Sequence, residues 1–234
     1  MATVILVRHG RTTANAAGVL AGRTPGVRLD EHGRVQARKV GERLAGVRLA
    51  QLVTSPLERC RETATALRSA EHPRPVVDRA LTECDYGDWQ GQPLKTLAKE
   101  KLWATVQAQP SAAIFPGGES MPAMMQRAAA AVRRRDAALA DDDVWVAVSH
   151  GDIIKAVLAD ALGMHLDLFQ RINVDPASVS IVRYTGSRPY VLAMNTHAGE
   201  LGWLTPPPRP AKRPAKRSPR RPGDAVVGGG SGPA

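Results

Sequence analysis

The 234-residue chain reads as an α/β protein, with a largely parallel sheet covered by helices on both faces. Three observations predict this. Apolar stretches of strand length alternate with amphipathic stretches of helix length along most of the chain. Two runs, Thr3-Val4-Ile5-Leu6-Val7 and Val144-Trp145-Val146-Ala147-Val148, are apolar nearly throughout, as strands buried on both faces are. Each run leads into a histidine and a glycine, through Arg8-His9-Gly10 and Ser149-His150-Gly151, and open α/β sheets place their chemistry at the carboxyl ends of strands.

The elements follow in order. Residues 3–8 form a strand that opens a loop containing Gly and Thr. Residues 33–44 carry Val35, Val40 and Leu44 among Arg, Gln and Glu, an amphipathic helix pattern. Residues 49–54 are a second strand. Ser55-Pro56 then starts a helix to about residue 67, with the proline in the favoured early turn. Residues 75–81 are extended, and residues 93–106 and 121–139 are helices separated by a loop at 110–120. Residues 144–148 are a strand and 153–162 a helix. Residues 178–184 and 190–195 close the pattern as an antiparallel hairpin at an edge, which makes the sheet mixed. Beyond Pro206 the chain is rich in Pro, Arg and Lys and then in Gly, a composition that cannot bury a core. The expected organisation is a domain over 1–204 and a disordered basic tail over 205–234.

The bulk properties narrow the function classes. A hydrophobic content of 43% supports a real core, and no apolar run reaches the ~18 residues of a membrane span. The first residues lack the layout of a signal peptide. Two cysteines, Cys60 and Cys84, are no disulfide framework, so a reducing cytoplasm is the expected setting, and both read as small buried hydrophobes. The net charge of +10 lies mostly in the tail, where residues 206–222 hold seven Lys/Arg and no acid, leaving 25 basic against 22 acidic residues elsewhere. That tail has no aromatic residue for base stacking, so its expected partner is any anionic surface, bound without sequence preference and sensitively to salt. The six histidines show no close ligand spacing, so no metal is expected.

The chemistry-bearing residues complement one another. His9 at a strand end is a candidate nucleophile, since a neutral imidazole can attack phosphorus and split one hard step into two. Arg8 beside it supplies positive charge and a guanidinium fork for phosphate oxygens. Gly10 allows close backbone approach to a ligand. Arg59, in Thr54-Ser55-Pro56-Leu57-Glu58-Arg59, stands at a helix start, where free N–H groups attract anions. Glu83 can protonate a leaving alkoxide and then activate water. His150 can stabilise the transferring phosphoryl group by hydrogen bonding.

Taken together, Arg8-His9-Gly10-x-Thr12-x-x-Asn15, Ser55-Pro56-x-x-Arg59-x-x-x-Thr63-Ala64, Leu81-x-Glu83 with Gly87-x-Trp89-x-Gly91, and Ser149-His150-Gly151 resemble the histidine phosphatase superfamily, the phosphoglycerate mutase-like group. The resemblance runs in order to about residue 200. It implies a three-layer α/β/α sandwich and a metal-free reaction on a small phosphomonoester. It makes His9 the phosphorylated nucleophile, Glu83 the acid/base, and Arg8, Arg59 and His150 the phosphate-binding groups. Asn15 matches a position that contacts phosphate, and Gly10, Arg11 and Gly151 are expected to bind substrate in the same pocket. Pro116-Gly117-Gly118-Glu119-Ser120 with Arg127 resembles a segment of the phosphatase members, expected to be structural, with Ser120 as a helix cap.

The sequence after Glu83, Cys84-Asp85-Tyr86-Gly87-Asp88-Trp89, resembles the phosphatase branch, whereas glycolytic mutases carry an Arg-His pair there. The interval from Glu83 to His150 also leaves less chain for a mutase lid. A mutase must exclude water and a phosphatase must admit it, so hydrolysis is favoured. The alternatives are mutase-type phosphotransfer and a non-catalytic phospholigand binder; the intact residue set argues against the latter. Arg11 stands where relatives carry Glu, and the segment 22–29 lacks the usual acid before its proline. A homodimer is left open.

Overall fold

The computed structural model describes residues 2–197; the expectations for the tail, and for residues 198–204 at the end of the domain, fall outside the described residues. One mixed sheet organises the chain. Its strands are β1 (Thr3–Arg8), β2 (Gln51–Thr54), β3 (Val76–Val77), β4 (Val144–Ser149), β5 (Val179–Arg183) and β6 (Tyr190–Thr196), in the order β3-β2-β4-β1-β5-β6. The first four are parallel, and β5 and β6 add an antiparallel hairpin beside β1, at the edge expected for it.

Side-chain alternation splits the core into two layers. Val4 and Leu6 of β1 and Trp145 and Ala147 of β4 face helices α6 (Met121–Ala137) and α7 (Gly151–Ala161). Ile5, Val7, Val146 and Val148 face helices α2 (Glu31–Leu44) and α3 (Glu58–Ala66), through Val40, Leu44, Cys60 and Ala64. This is the three-layer sandwich. Burying a Val, Leu or Ile side chain contributes about 1.5–3 kcal/mol, and β1 and β4 are buried almost end to end. Among the described residues no helix is long and apolar enough to cross a membrane.

Several elements differ from expectation for identifiable reasons. The helix after β2 begins at Glu58, not at Ser55-Pro56, because Ser55 is drawn to His150 and the chain bends at Pro56-Leu57, with Leu57 itself outside helical dihedrals. The helix expected over 93–106 is two, α4 (Leu94–Leu97) and α5 (Lys101–Ala108). On one continuous helix Leu97 and Trp103 would point roughly 120° apart, and the break lets both enter the core. The extended stretch 75–81 holds only the two-residue β3 before a 3-10 turn at Arg79–Leu81. A short helix α1 (Thr13–Ala17) follows β1, closed by a capping box between Thr12 and Asn15.

Candidate active site

The parallel register decides where the two histidines meet. Arg8 pairs with Ser149 at the ends of β1 and β4, and the His9 N–H extends the ladder by donating to the Ser149 carbonyl at 3.0 Å. The next residue of each strand is therefore an imidazole. The two rings stand edge to face with centroids 5.3 Å apart, and both are buried.

Hydrogen bonds fix the tautomer of each ring. A carbonyl can only accept, so His9 Nδ1 donates to the Gly10 oxygen at 2.8 Å. Its Nε2 then carries a lone pair, which accepts from Arg59 Nε at 3.2 Å. Burial and the charges of Arg59 and Arg8 hold the His9 pKa well below the ordinary imidazole range. Arg59 Nη2 donates to the Gly22 carbonyl at 2.7 Å and lies 3.1 Å from His150 Nδ1, which must accept. His150 Nε2 then carries the proton, 2.7 Å from Ser55 Oγ. Burial, again with Arg59 next, keeps His150 neutral.

Arg59 thus spans both imidazoles from the first turn of α3. Its Nη1, a cation-borne N–H pair, is buried with no hydrogen-bond partner among the described residues. A phosphate oxygen is the complement of such a group. Arg8, fully buried, donates from Nη1 to the Val174 carbonyl at 2.7 Å. Two buried guanidiniums and two neutral imidazoles make an anion site. Among the described residues no group of three or more His, Cys, Asp or Glu has the arrangement to hold a metal ion.

Glu83 comes from a loop rather than from the sheet. It is buried, and burial, reinforced by the charge of Asp152, pushes its carboxyl up to about 8 against the opposing pull of the Cys84 N–H, Arg59 and Arg8. Arginine clamps hold the loop. Arg127 of α6 donates to the carbonyls of Ala80 at 2.9 Å, Thr82 at 2.8 Å and Glu83 at 3.3 Å. Arg23 donates to the Glu83 carbonyl at 2.9 Å and to Asp85 at 3.0 Å. Glu119 ties the two together, accepting from Arg127, from Arg23 and from the Asp85 N–H. Burial pushes the Glu119 carboxyl up, but these partners outweigh it and keep it ionised. Gly87 has φ +51°, and a Cβ there would lie 2.0 Å from the Pro116 oxygen, so the Pro-Gly-Gly segment runs directly beneath this loop. Ser120 caps α6 at the Ala123 N–H.

Of the remaining candidates, Gly10 joins the cluster through its carbonyl. Asn15 spends its side-chain oxygen on Thr12, in the capping box. Arg11 pairs at 2.7 Å with Asp30, the residue that caps α2. At Gly10 a Cβ would lie 2.4 Å from the Gly33 oxygen of α2, so backbone meets backbone closely there. Gly151 begins α7 directly after His150. Sequence reasoning missed Ser55 as a partner of His150, Gly33 as the counterpart of Gly10, and the buried Asp152. Cys60 lies 3.4 Å from His150 Nε2, and burial pushes its thiol up to about 12, so it is a neutral packing group.

Known proteins resemble this chain in sequence and fold. The family model for histidine phosphatase superfamily (branch 1) matches residues 4–197. The probable phosphoglycerate mutase GpmB of Erwinia tasmaniensis is 33% identical over 192 residues, 80% of this chain and 87% of the relative. Phosphoserine phosphatase 1 of Hydrogenobacter thermophilus is 28% identical over 210 residues, 86% of this chain and 96% of the relative. The solved structure of a mycobacterial glucosyl-3-phosphoglycerate phosphatase superposes with a TM-score of 0.74 at 26% identity, covering 83% of this chain and 99% of that one. With two histidines delivered side by side by parallel strands and a family model spanning nearly the whole described chain, this protein belongs to the histidine phosphatase superfamily.

Proposed function

We propose that the chain is a metal-independent phosphomonoesterase working through a phosphohistidine on His9. The single observation that carries this reading is the His9 ring: Nδ1–H on the Gly10 carbonyl, lone pair of Nε2 toward Arg59. In the first step Nε2 attacks phosphorus, the ester P–O bond breaks, and the proton of Glu83 goes to the leaving oxygen. Arg59 and Arg8 hold the phosphoryl oxygens, with Arg59 Nε passing from the His9 imidazole to the phosphate, and the His150 Nε2–H joins them by turning from Ser55 Oγ. In the second step the Glu83 carboxylate takes a proton from water, the water oxygen bonds phosphorus, and the N–P bond breaks to release phosphate. The raised carboxyl of Glu83 suits the first step, because it is protonated near neutral pH.

Phosphatase and mutase share this first step, and relatives of both descriptions occur. Hydrolysis is supported by the sequence that follows Glu83 and by the short interval to His150. The test is His9→Ala with an aryl phosphate in chelator-treated buffer, where we expect a loss of at least ~10³-fold. Turnover at the wild-type rate removes the nucleophile assignment. A parallel assay with a phosphoglycerate and a bisphosphate primer reads mutase activity directly; isomerisation faster than phosphate release makes the protein a mutase.

A further inference from the structure

Helix α7 carries two buried charged residues that the steps above do not use. Asp152 and Lys155 are 0% and 3% exposed, whereas the third charged residue of the helix, Asp160, pairs with Arg133 near its far end. A buried ion pair loses in desolvation much of what it gains in attraction, so stability alone does not account for it. Its surroundings do. Tyr86 donates its hydroxyl to Asp152 Oδ2 at 2.6 Å, and Lys155 Nζ lies 3.7 Å from Oδ1. Lys155 is itself held by Gln170 Oε1 at 2.6 Å and sits 4.2 Å above the Phe169 ring. Tyr86 stands three residues beyond Glu83, and Asp152 two residues beyond His150. One short hydrogen bond therefore ties the loop that bears the acid to the helix that His150 caps.

We propose that Asp152 is a positioning residue: through Tyr86 it fixes the Glu83 loop against the His150 end of α7, and it supplies the negative charge that Glu83 faces. This rests on the reading of Glu83 as the acid. The groups that act on Glu83 are Asp152 and Lys155 from α7, Arg59 and Cys60 from α3, Arg8 from β1, and Cys84 and Tyr86 from its own loop. Arg23 and Arg127 hold its carbonyl. Of the charges, Asp152 favours the protonated acid, against Arg59 and Arg8. Burial and Asp152 also keep the Tyr86 phenol protonated, as the donor of the tether.

Two variants of the full chain separate position from charge. Asp152→Asn keeps an oxygen for the Tyr86 hydroxyl but removes the charge. With β-glycerophosphate as substrate, the alkaline limb of kcat/KM should move to lower pH by ~0.5–1 unit, with the low-pH plateau within ~3-fold of wild type. Tyr86→Phe keeps the ring against Phe115, 5.0 Å away, but cuts the tether; kcat should fall by ~10-fold with KM nearly unchanged. An unmoved limb in a folded Asp152→Asn protein, or wild-type kcat in Tyr86→Phe, overturns the proposal. Should Asp152→Asn fail to fold, as thermal melting would show, Tyr86→Phe decides alone. Glu83→Gln is run alongside. Full turnover by that variant sinks the acid assignment itself, whereas its loss together with an unmoved limb sinks only the role of Asp152.

Discussion

The two halves of the site are built by different means. Arg8, His9 and His150 stand where β1 and β4 end, and Arg59 stands in the first turn of α3, so the backbone of regular elements places all four. Glu83 sits between two 3-10 turns in a loop, and side chains from elsewhere place it: Arg127 from α6, Arg23 from the segment after α1, Ser149 through the Leu81 carbonyl at 2.8 Å, and Tyr86 through Asp152. The first half is cationic and buried around neutral imidazoles; the second is a buried carboxyl whose pKa is raised. A sheet holds atoms to a register, while a loop held by guanidinium clamps can adjust to leaving groups of different shape. That division fits a family whose relatives act on different phosphate esters.

The comparison can be broken at either half. The largest effect should come from Arg59→Lys, which keeps the charge but loses the fork that spans His9, His150 and Gly22; kcat/KM for any phosphomonoester should fall by ~10²–10³-fold. A loss under tenfold would mean that charge alone suffices. Glu83→Gln should cost ~10²-fold on an alkyl phosphate, and far less in single-turnover phosphorylation by an aryl phosphate, whose phenolate leaves without a proton. Equal losses on both would remove the acid role. Arg127→Met should slow turnover by ~10-fold while leaving competitive inhibition by inorganic phosphate within ~2-fold, because it loosens only the acid half. Weakened phosphate inhibition would show instead that the halves are not separable. The smallest effect is a matter of pH. The acid form of Glu83 is lost as pH rises through about 8, while His9 stays neutral on the acidic side. So kcat/KM should hold a plateau across mildly acidic and neutral pH and decline above it, as a rate profile would record.

The same division governs what the sequence made legible. Strands buried on both faces leave continuous apolar runs, so β1 and β4 were readable, and with them His9 and His150. The clamps were readable only as a motif, through Glu119 and Arg127, since no periodicity links residue 127 to the carbonyl of residue 83. One signal misled: Ser55-Pro56 looks like a helix start, but the helix begins at Glu58 and Ser55 pairs with His150. Two others have protein neighbours the sequence did not announce: Arg11 pairs with Asp30, and the backbone of Gly33 fills the space beside Gly10. Asp152 and Lys155 interrupt an apolar helix, a conflict of pattern and burial that is visible in the sequence only once the helix is known to be enclosed.

In the proposed mechanism the carbonyl of Gly10 sets the lifetime of the covalent state. A carboxylate in its place could accept the Nδ1 proton when Nε2 takes the phosphoryl group, leaving a neutral, durable phosphoimidazole. A peptide oxygen is too weak a base to do so. The phosphorylated ring of the proposed mechanism therefore keeps its proton and its positive charge, and a cationic nitrogen is a good leaving group. The intermediate is made reactive toward water by a backbone atom that substitution of a side chain cannot remove.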